Sequence, residues 1–280
     1  MFLCLSGKQM IKELLYQSKK IYYRVIGSGK PVVLIHGFGE DADVWKNQTG
    51  FLKERFQLII PDLPGSGKSD MINDMSMEGM AEVIKHILDT EAPPLKRELE
   101  EAAPIIIGHS MGGYILLAFI EKYPGYLSAF GLFHSSAYAD SEEKKAIRRK
   151  GIDFINQHGA FEFLKTVTPN LFSPHTKDEN PGLIDEQLAG LRNFSPTALV
   201  SYYEAMIQRP DRTEVLRKAA VPVLFIMGKY DNAIPLEDGL KQCHLPEKSY
   251  IHILQQAGHM GMLEDPEKTN LVLEKFLLET

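Results

Sequence analysis

The sequence predicts an α/β fold: a mostly parallel sheet with helices on both faces, interrupted by an all-helical insertion over one edge. Three observations predict it. Short continuous apolar runs, PVVLIH (31–36), FQLIIPD (56–62) and PIIIGHS (104–110), alternate with helical stretches from about residue 31 to 134. Such runs suit strands buried on both faces, and strand–helix alternation is how a parallel sheet is threaded. From about 137 to 212 no buried strand is evident, and the alternation resumes at VPVLFIMG (221–228).

The elements follow in order. Residues 11–19 and 21–26 alternate and are rich in β-branched and aromatic side chains, which predicts a pair of strands. Gly27-Ser28-Gly29-Lys30 turns the chain into the strand 31–36. A helical pattern over 44–54 precedes the strand 56–62. Over 76–90, Met80, Val83, Ile84, Ile87 and Leu88 share one helix face. Pro93-Pro94 breaks the chain before a charged stretch at 96–101. The strand 104–110 runs straight into the helix MGGYILLAFIEKYP, which must end before Pro124. LSAFGLFH (127–134) is the next strand.

The insertion opens with Asp140, Glu142 and Glu143 and continues KKAIRRK. Acidic first and basic later turns complement the helix dipole, so 140–158 is expected as a helix with a solvated charged face. Further helical stretches lie near 159–166, 183–192 and 196–208, punctuated by Pro169, Pro174 and Pro181. After the strand 221–228 come a helix near 235–243, the strand KSYIHIL (248–254) and a last helix over 264–279. The expected organisation is a core in two parts, 1–136 and 213–280, with a helical cap over 137–212.

At 280 residues the chain suits one large domain or a domain with an insertion. Its 31 basic and 37 acidic residues give a net charge of −6, the wrong sign for a nucleic-acid footprint. Cys4 and Cys243 form no CxxC pair, so neither a disulfide scaffold nor an oxidising compartment is expected. The apolar run in MFLCLSGKQM is too short for a signal-peptide core, and no stretch reaches the length of a membrane span. A cytoplasmic protein, free of membrane and nucleic-acid partners and a monomer or small homo-oligomer, is the expectation. Met10 is an alternative start.

Gly108-His109-Ser110-Met111-Gly112 fits G-x-S-x-G with a buried strand before it and a helix after it. A serine at such a turn is pushed out of the chain, and small neighbours are needed where backbones pack closely. A hydroxyl is a poor nucleophile without a base in reach. His259, in QAGHM after the last strand, is our candidate for that base. Asp231, in GKYDN after VLFIMG, is the candidate that orients it. Both sit at carboxyl ends of strands, the ligand-binding edge of open α/β sheets. The oxyanion of an acyl-transfer intermediate needs two N–H donors. Met111, next after the nucleophile, and Phe38 in His36-Gly37-Phe38-Gly39 are the candidates.

These pieces resemble the α/β-hydrolase superfamily, in its capped serine-hydrolase branch. The matching blocks are VVLIHGFGEDADVW, LIIPDLPGSGKSD, IIIGHSMGGYILLAF, VLFIMGKYDNAIP and QQAGHMGMLEDP, in family order over nearly the whole chain. The resemblance implies an eight-stranded sheet with the cap after its sixth strand. It also implies a Ser110–His259–Asp231 triad. Dehalogenases and soluble epoxide hydrolases of the branch carry Asp where this chain has Ser110, and prolyl iminopeptidase-like members usually show GGSWG at the elbow.

Two decoys are set aside. PGSGKS (64–69) resembles a phosphate loop, but that motif needs glycine where Asp62 stands. No HExxH or comparable spacing occurs, so neither a metal nor a cofactor is expected. His109 is expected to be structural and Trp45 to pack near the oxyanion loop. A small-molecule substrate is implied, and a carboxylic ester of small to medium acyl length is the leading reading. A C–C bond hydrolase is the alternative, although the carboxylate clamp it needs is not identifiable. A ligand receptor on a hydrolase scaffold is a third reading, and thioester, lactone or amide substrates share the same machinery.

Overall fold

The edge of the sheet is built by a hairpin whose turn the composition disguises. A computed structural model of the protein describes residues 9–92 and 103–280. Cys4, Pro93-Pro94 and the charged stretch 96–101 lie outside the described residues. Strand β1 (Met10–Tyr16) pairs antiparallel with β2 (Lys19–Ile26). The turn is Gln17-Ser18, both at positive φ, 49° and 64°. That is the backbone of a two-residue hairpin turn, usually signalled by Asn-Gly. Without that signal the sequence pattern extends the first strand to residue 19.

Eight strands form one sheet in the order β1-β2-β4-β3-β5-β6-β7-β8. The remaining six are β3 (Lys30–Ile35), β4 (Phe56–Pro61), β5 (Ile105–His109), β6 (Ala129–Phe133), β7 (Val223–Gly228) and β8 (Ser249–Leu254). All of β3 to β8 run parallel, while β2 meets β4 antiparallel.

Both faces of the central strands β3 to β7 are buried, which explains the continuous apolar runs. Ile106 on β5 points into one core with Val33, Phe130 and Phe225. Its neighbours Ile105 and Ile107 point into the other with Leu34, Phe133 and Leu224. The first core is closed by the helices Met77–Glu91 and Met111–Lys122, the second by Pro266–Glu279. Each buried Ile or Leu contributes about 1.5–3 kcal/mol, so losing the alternation on a central strand would cost both layers.

Between β6 and β7 the described chain is helical. The longer helices are Glu142–His158, Ala160–Val167, Gly182–Gly190 and Pro196–Gln208. A short helix, Pro174–Glu179, stands where the sequence shows only proline punctuation. Its start follows a local rule: Ser173 accepts the N–H of Thr176, as Ser141 and Ser195 do at their own helix starts. The segment folds back over the carboxyl edge of the sheet. Tyr202 donates to Pro64 O at 2.6 Å, Tyr203 stacks on Phe38, and His259 N–H donates to Leu171 O at 2.7 Å.

Parallel pairing sets the site. Ile35 is in register with Gly108, His109 with Phe133, and Gly228 with Leu254. The loops leaving β3, β5, β6, β7 and β8 therefore emerge side by side at one edge.

Candidate active site

Ser110 stands at the tip of the β5–helix turn with φ 50° and ψ −117°. That backbone is strained for a residue with a Cβ, and surrounding contacts hold it. Ser110 N–H donates to Phe133 O at 2.9 Å, and Ser135 Oγ donates to Ser110 O at 2.7 Å. The motif glycines are required by close approach. A Cβ on Gly108 would lie 2.5 Å from Gly112 O, and one on Gly112 would lie 2.6 Å from His36 O. Those contacts explain G-x-S-x-G as packing as well as chemistry.

His259 and Asp231 come together from β8 and β7. His259 Nδ1–H donates to Asp231 Oδ2 at 2.8 Å, and both side chains are buried. Asp231 Oδ1 accepts Ala233 N–H at 2.9 Å and Ile234 N–H at 2.8 Å. The loops are laced tightly, for a Cβ on Gly228 would sit 1.9 Å from Gly258 O. Burial alone would push the Asp231 carboxyl up. The two histidines around it, His259 foremost, together with the hydrogen bonds, hold it well below the usual range. Burial alone would depress the His259 imidazole, but the Asp231 carboxylate reverses this and raises it above its ordinary value.

Sequence reasoning missed His134. It leaves the carboxyl end of β6 at φ 47°, and its Nδ1–H donates to the same Asp231 Oδ2 at 3.1 Å. Desolvation lowers its pKa to about 4 despite Asp231, so the ring is neutral at pH 7. Its Nε2 is buried with no hydrogen-bond partner among the described residues. The available signal was positional: a histidine at the same strand edge as Ser110 and Asp231. The ligand-type atoms of His134, Asp231 and His259 lie within 4.8 Å of one another. A cation placed among them would displace both histidine hydrogen bonds to Asp231.

A second buried network ties the loop after β3 to the elbow. Leu63 N–H donates to His36 Nε2 at 3.0 Å, so His36 Nδ1 carries the proton it donates to Gly37 O. Gly37 N–H donates to Glu40 Oε2 at 2.7 Å, which leaves Phe38 N–H as the next donor along the loop. Met111 opens the helix after Ser110, where N–H groups lack intrahelical partners. His109 bridges the two parts, with Nδ1 at 3.0 Å from Glu40 Oε2 and Nε2 at 3.0 Å from His259 O. Burial would raise the Glu40 carboxyl, but the His109 ring and Gly37 N–H hold it below the usual range. Trp45 is fully buried, its ring edge-on to Phe133 and His109.

Ser110 and His259 line one cavity of about 120 Å³, walled by Phe38, Tyr114, Tyr203 and Met206. No hydrogen bond joins Ser110 Oγ to His259 Nε2 among the described residues; such contacts often tighten only when substrate binds. Larger hollows, of about 290 and 480 Å³, include neither residue. Arg148, expected on a solvated face, lines the cavity instead. The phosphate-loop decoy is explained by Asp62, whose carboxylate accepts Lys68 N–H within its own turn and Ala42 N–H from the segment after β3.

A model of a family described as the alpha/beta hydrolase family matches residues 32–270. The chain is 28% identical to a 2-hydroxy-6-oxononadienedioate/2-hydroxy-6-oxononatrienedioate hydrolase of Paraburkholderia phymatum, covering 92% of this chain and 91% of that one. It is 25% identical to a pimeloyl-[acyl-carrier protein] methyl ester esterase of Methylococcus capsulatus, covering 92% and 98%. Among solved structures, a thermophilic esterase from Thermogutta terrifontis with malate bound superimposes with a TM-score of 0.86. Its identity is 26%, over 96% of this chain and 98% of that one.

Proposed function

This chain belongs to the alpha/beta hydrolase family, and from that premise we propose that it is a serine hydrolase of carboxylic esters. Ser110 is the nucleophile, His259 the base and Asp231 the group that holds the imidazole. One observation carries the reading: a serine on a strained elbow lines the same cavity as a histidine whose far nitrogen is held by a buried carboxylate. With Nδ1 donating to Asp231, Nε2 is the nitrogen free to accept the serine proton.

Ser110 Oγ attacks the ester carbonyl as His259 takes its proton. The oxyanion develops toward the N–H groups of Phe38 and Met111. His259 protonates the departing alcohol, and water, deprotonated by His259, then cleaves the acyl-enzyme. Residues 137–212 act as a cap over this cavity. A volume of about 120 Å³ is a few times the roughly 30 Å³ share of one liquid water, which favours short to medium acyl groups. A C–C hydrolase is the second reading, favoured by the name of the Paraburkholderia phymatum relative.

The test is initial rates on p-nitrophenyl esters of increasing acyl length, with Ser110→Ala alongside. We expect turnover that the variant lowers by at least about 10⁴-fold, falling off at long chains. Turnover by Ser110→Ala equal to that of the native chain would sink the reading. Absence of ester turnover, with cleavage of a vinylogous diketone, would establish the second one.

A further inference from the structure

The helix Glu142–His158 carries a basic run, and Arg149 and Lys150 on it face solvent. Arg148 turns inward instead and lines the cavity of Ser110 and His259. Taking a cation out of water is costly unless it is matched, and here the match is incomplete. Arg148 Nε donates to Asp140 Oδ2 at 2.5 Å and its Nη2 to Oδ1 at 3.2 Å. Arg209 Nη1 approaches the same carboxylate at 3.0 Å, while also donating to Met206 O and, through Nη2, to Tyr138 O. Two guanidinium groups thus share one buried carboxylate, a net charge of one positive. Glu40, also on the cavity wall, faces His109. Lys144, Asp211 and Asp238 line a separate outer hollow beside Asp140.

The Nε–Nη2 side of Arg148 is occupied by Asp140. Its end-on edge, Nη1 and the second Nη2–H, has no hydrogen-bond partner among the described residues. The guanidinium lies 5.3 Å from the Tyr203 ring centre, and Tyr203 stacks on Phe38 at 4.3 Å. The cation is therefore held two rings away from the loop beside the nucleophile. An end-on guanidinium edge matches a carboxylate with two parallel hydrogen bonds. We propose that the substrate carries a carboxylate remote from the bond that is cut, and that Arg148 receives it. The inference rests on the serine-hydrolase reading.

Matched esters test it by acid release at constant pH. Monomethyl adipate against methyl hexanoate places the charge on the acyl side. 3-Butyryloxypropanoate against propyl butyrate places it on the alcohol side. We expect one pair to favour the anionic member by about tenfold or more in kcat/KM, carried by KM and weakened by salt. Arg148→Gln should bring that ratio near one. Arg148→Lys, which keeps a cation beside Asp140 and guards against a fold defect, should retain part of it. Ratios near one in both pairs, or a preference unchanged in Arg148→Gln, would overturn the proposal. Labelling of Ser110 by a fluorophosphonate reads the underlying chemistry separately. If Ser110 labels while the ratios stay at one, the anion site alone fails; if it neither labels nor turns over any ester, both readings fall.

Discussion

At the scale of single residues, Asp231 is the hub. Its four acceptor contacts come from two histidines and two backbone N–H groups, so none of its capacity is left to water. His134 is a positioning residue in this arrangement, since it reaches the expected base only through Asp231. Removing its N–H should leave Asp231 less stabilised as a carboxylate and pull the shared proton closer to it. We expect His134→Phe, which keeps a ring in the pocket but has no N–H to offer Asp231, to lower kcat by about 10- to 100-fold, the worth of one charge-assisted hydrogen bond. The acid limb of kcat/KM should move as well. A lower melting temperature with an unmoved limb and unchanged kcat would reduce His134 to a packing role.

At the scale of elements, the loop carrying His259 is held from outside the sheet. Glu264, on the short helix Gly261–Glu264, accepts Gly258 N–H at 2.8 Å and Met260 N–H at 3.1 Å through Oε1. Through Oε2 it accepts Ser173 N–H and Thr176 Oγ1–H, both at 2.7 Å. One carboxylate therefore clasps the loop on both sides of His259 and ties it to the helical segment after β6. Gly258 is needed there because a Cβ would lie 2.6 Å from Leu171 O. Glu264→Ala should cost about 3 kcal/mol in a urea titration, the value of one or two charged hydrogen bonds, and should lower kcat more than it raises KM. A variant with native urea midpoint and native kcat would show that the loop holds itself.

At the scale of the whole molecule, pH separates chemistry from folding. As the proposed base, His259 would have to be neutral to accept the serine proton, and its pKa is raised above 6.5. Ester kcat/KM should therefore rise with pH through a midpoint above 6.5 and level off beyond it. The stability terms have their own signs. The raised His259 favours the folded state at low pH, and that contribution is lost as pH rises through its folded pKa. His134 is depressed to about 4 from 6.5, so its contribution is lost as pH falls through that window. Asp231 is depressed below 3.8 and loses its contribution only in stronger acid. Near pH 5.5 we expect a folded, inactive protein that recovers on return to pH 8. Unfolding that tracks the loss of activity, or full activity at pH 5.5, would contradict this.

The same scales separate what was legible in the chain from what was not. Buried strands announce themselves because a strand covered on both faces has no polar side to show. Ser110 was legible because its elbow demands glycine at 108 and 112 on local steric grounds, and Asp231 and His259 because each follows a strand at the same edge. The hairpin turn at Gln17-Ser18 was not, since it lacks the composition usual for positive φ, and the helix Pro174–Glu179 was not, since six residues are too few to show an apolar period even behind a Ser173-Pro174 start. His134, the Glu264–Ser173 tie and the Glu40–His109 bridge escaped for a deeper reason: the paired residues lie 97, 91 and 69 residues apart, and no local pattern encodes such pairings. Arg148 shows the limit most clearly. By itself the sequence determined the sheet, the insertion and the residue types of the site, because periodicity and steric demand act over a few residues. Only the tertiary structure decided which cation of a basic run lines the cavity of Ser110 and His259, because that depends on Asp140, Arg209 and Tyr203 meeting it in space.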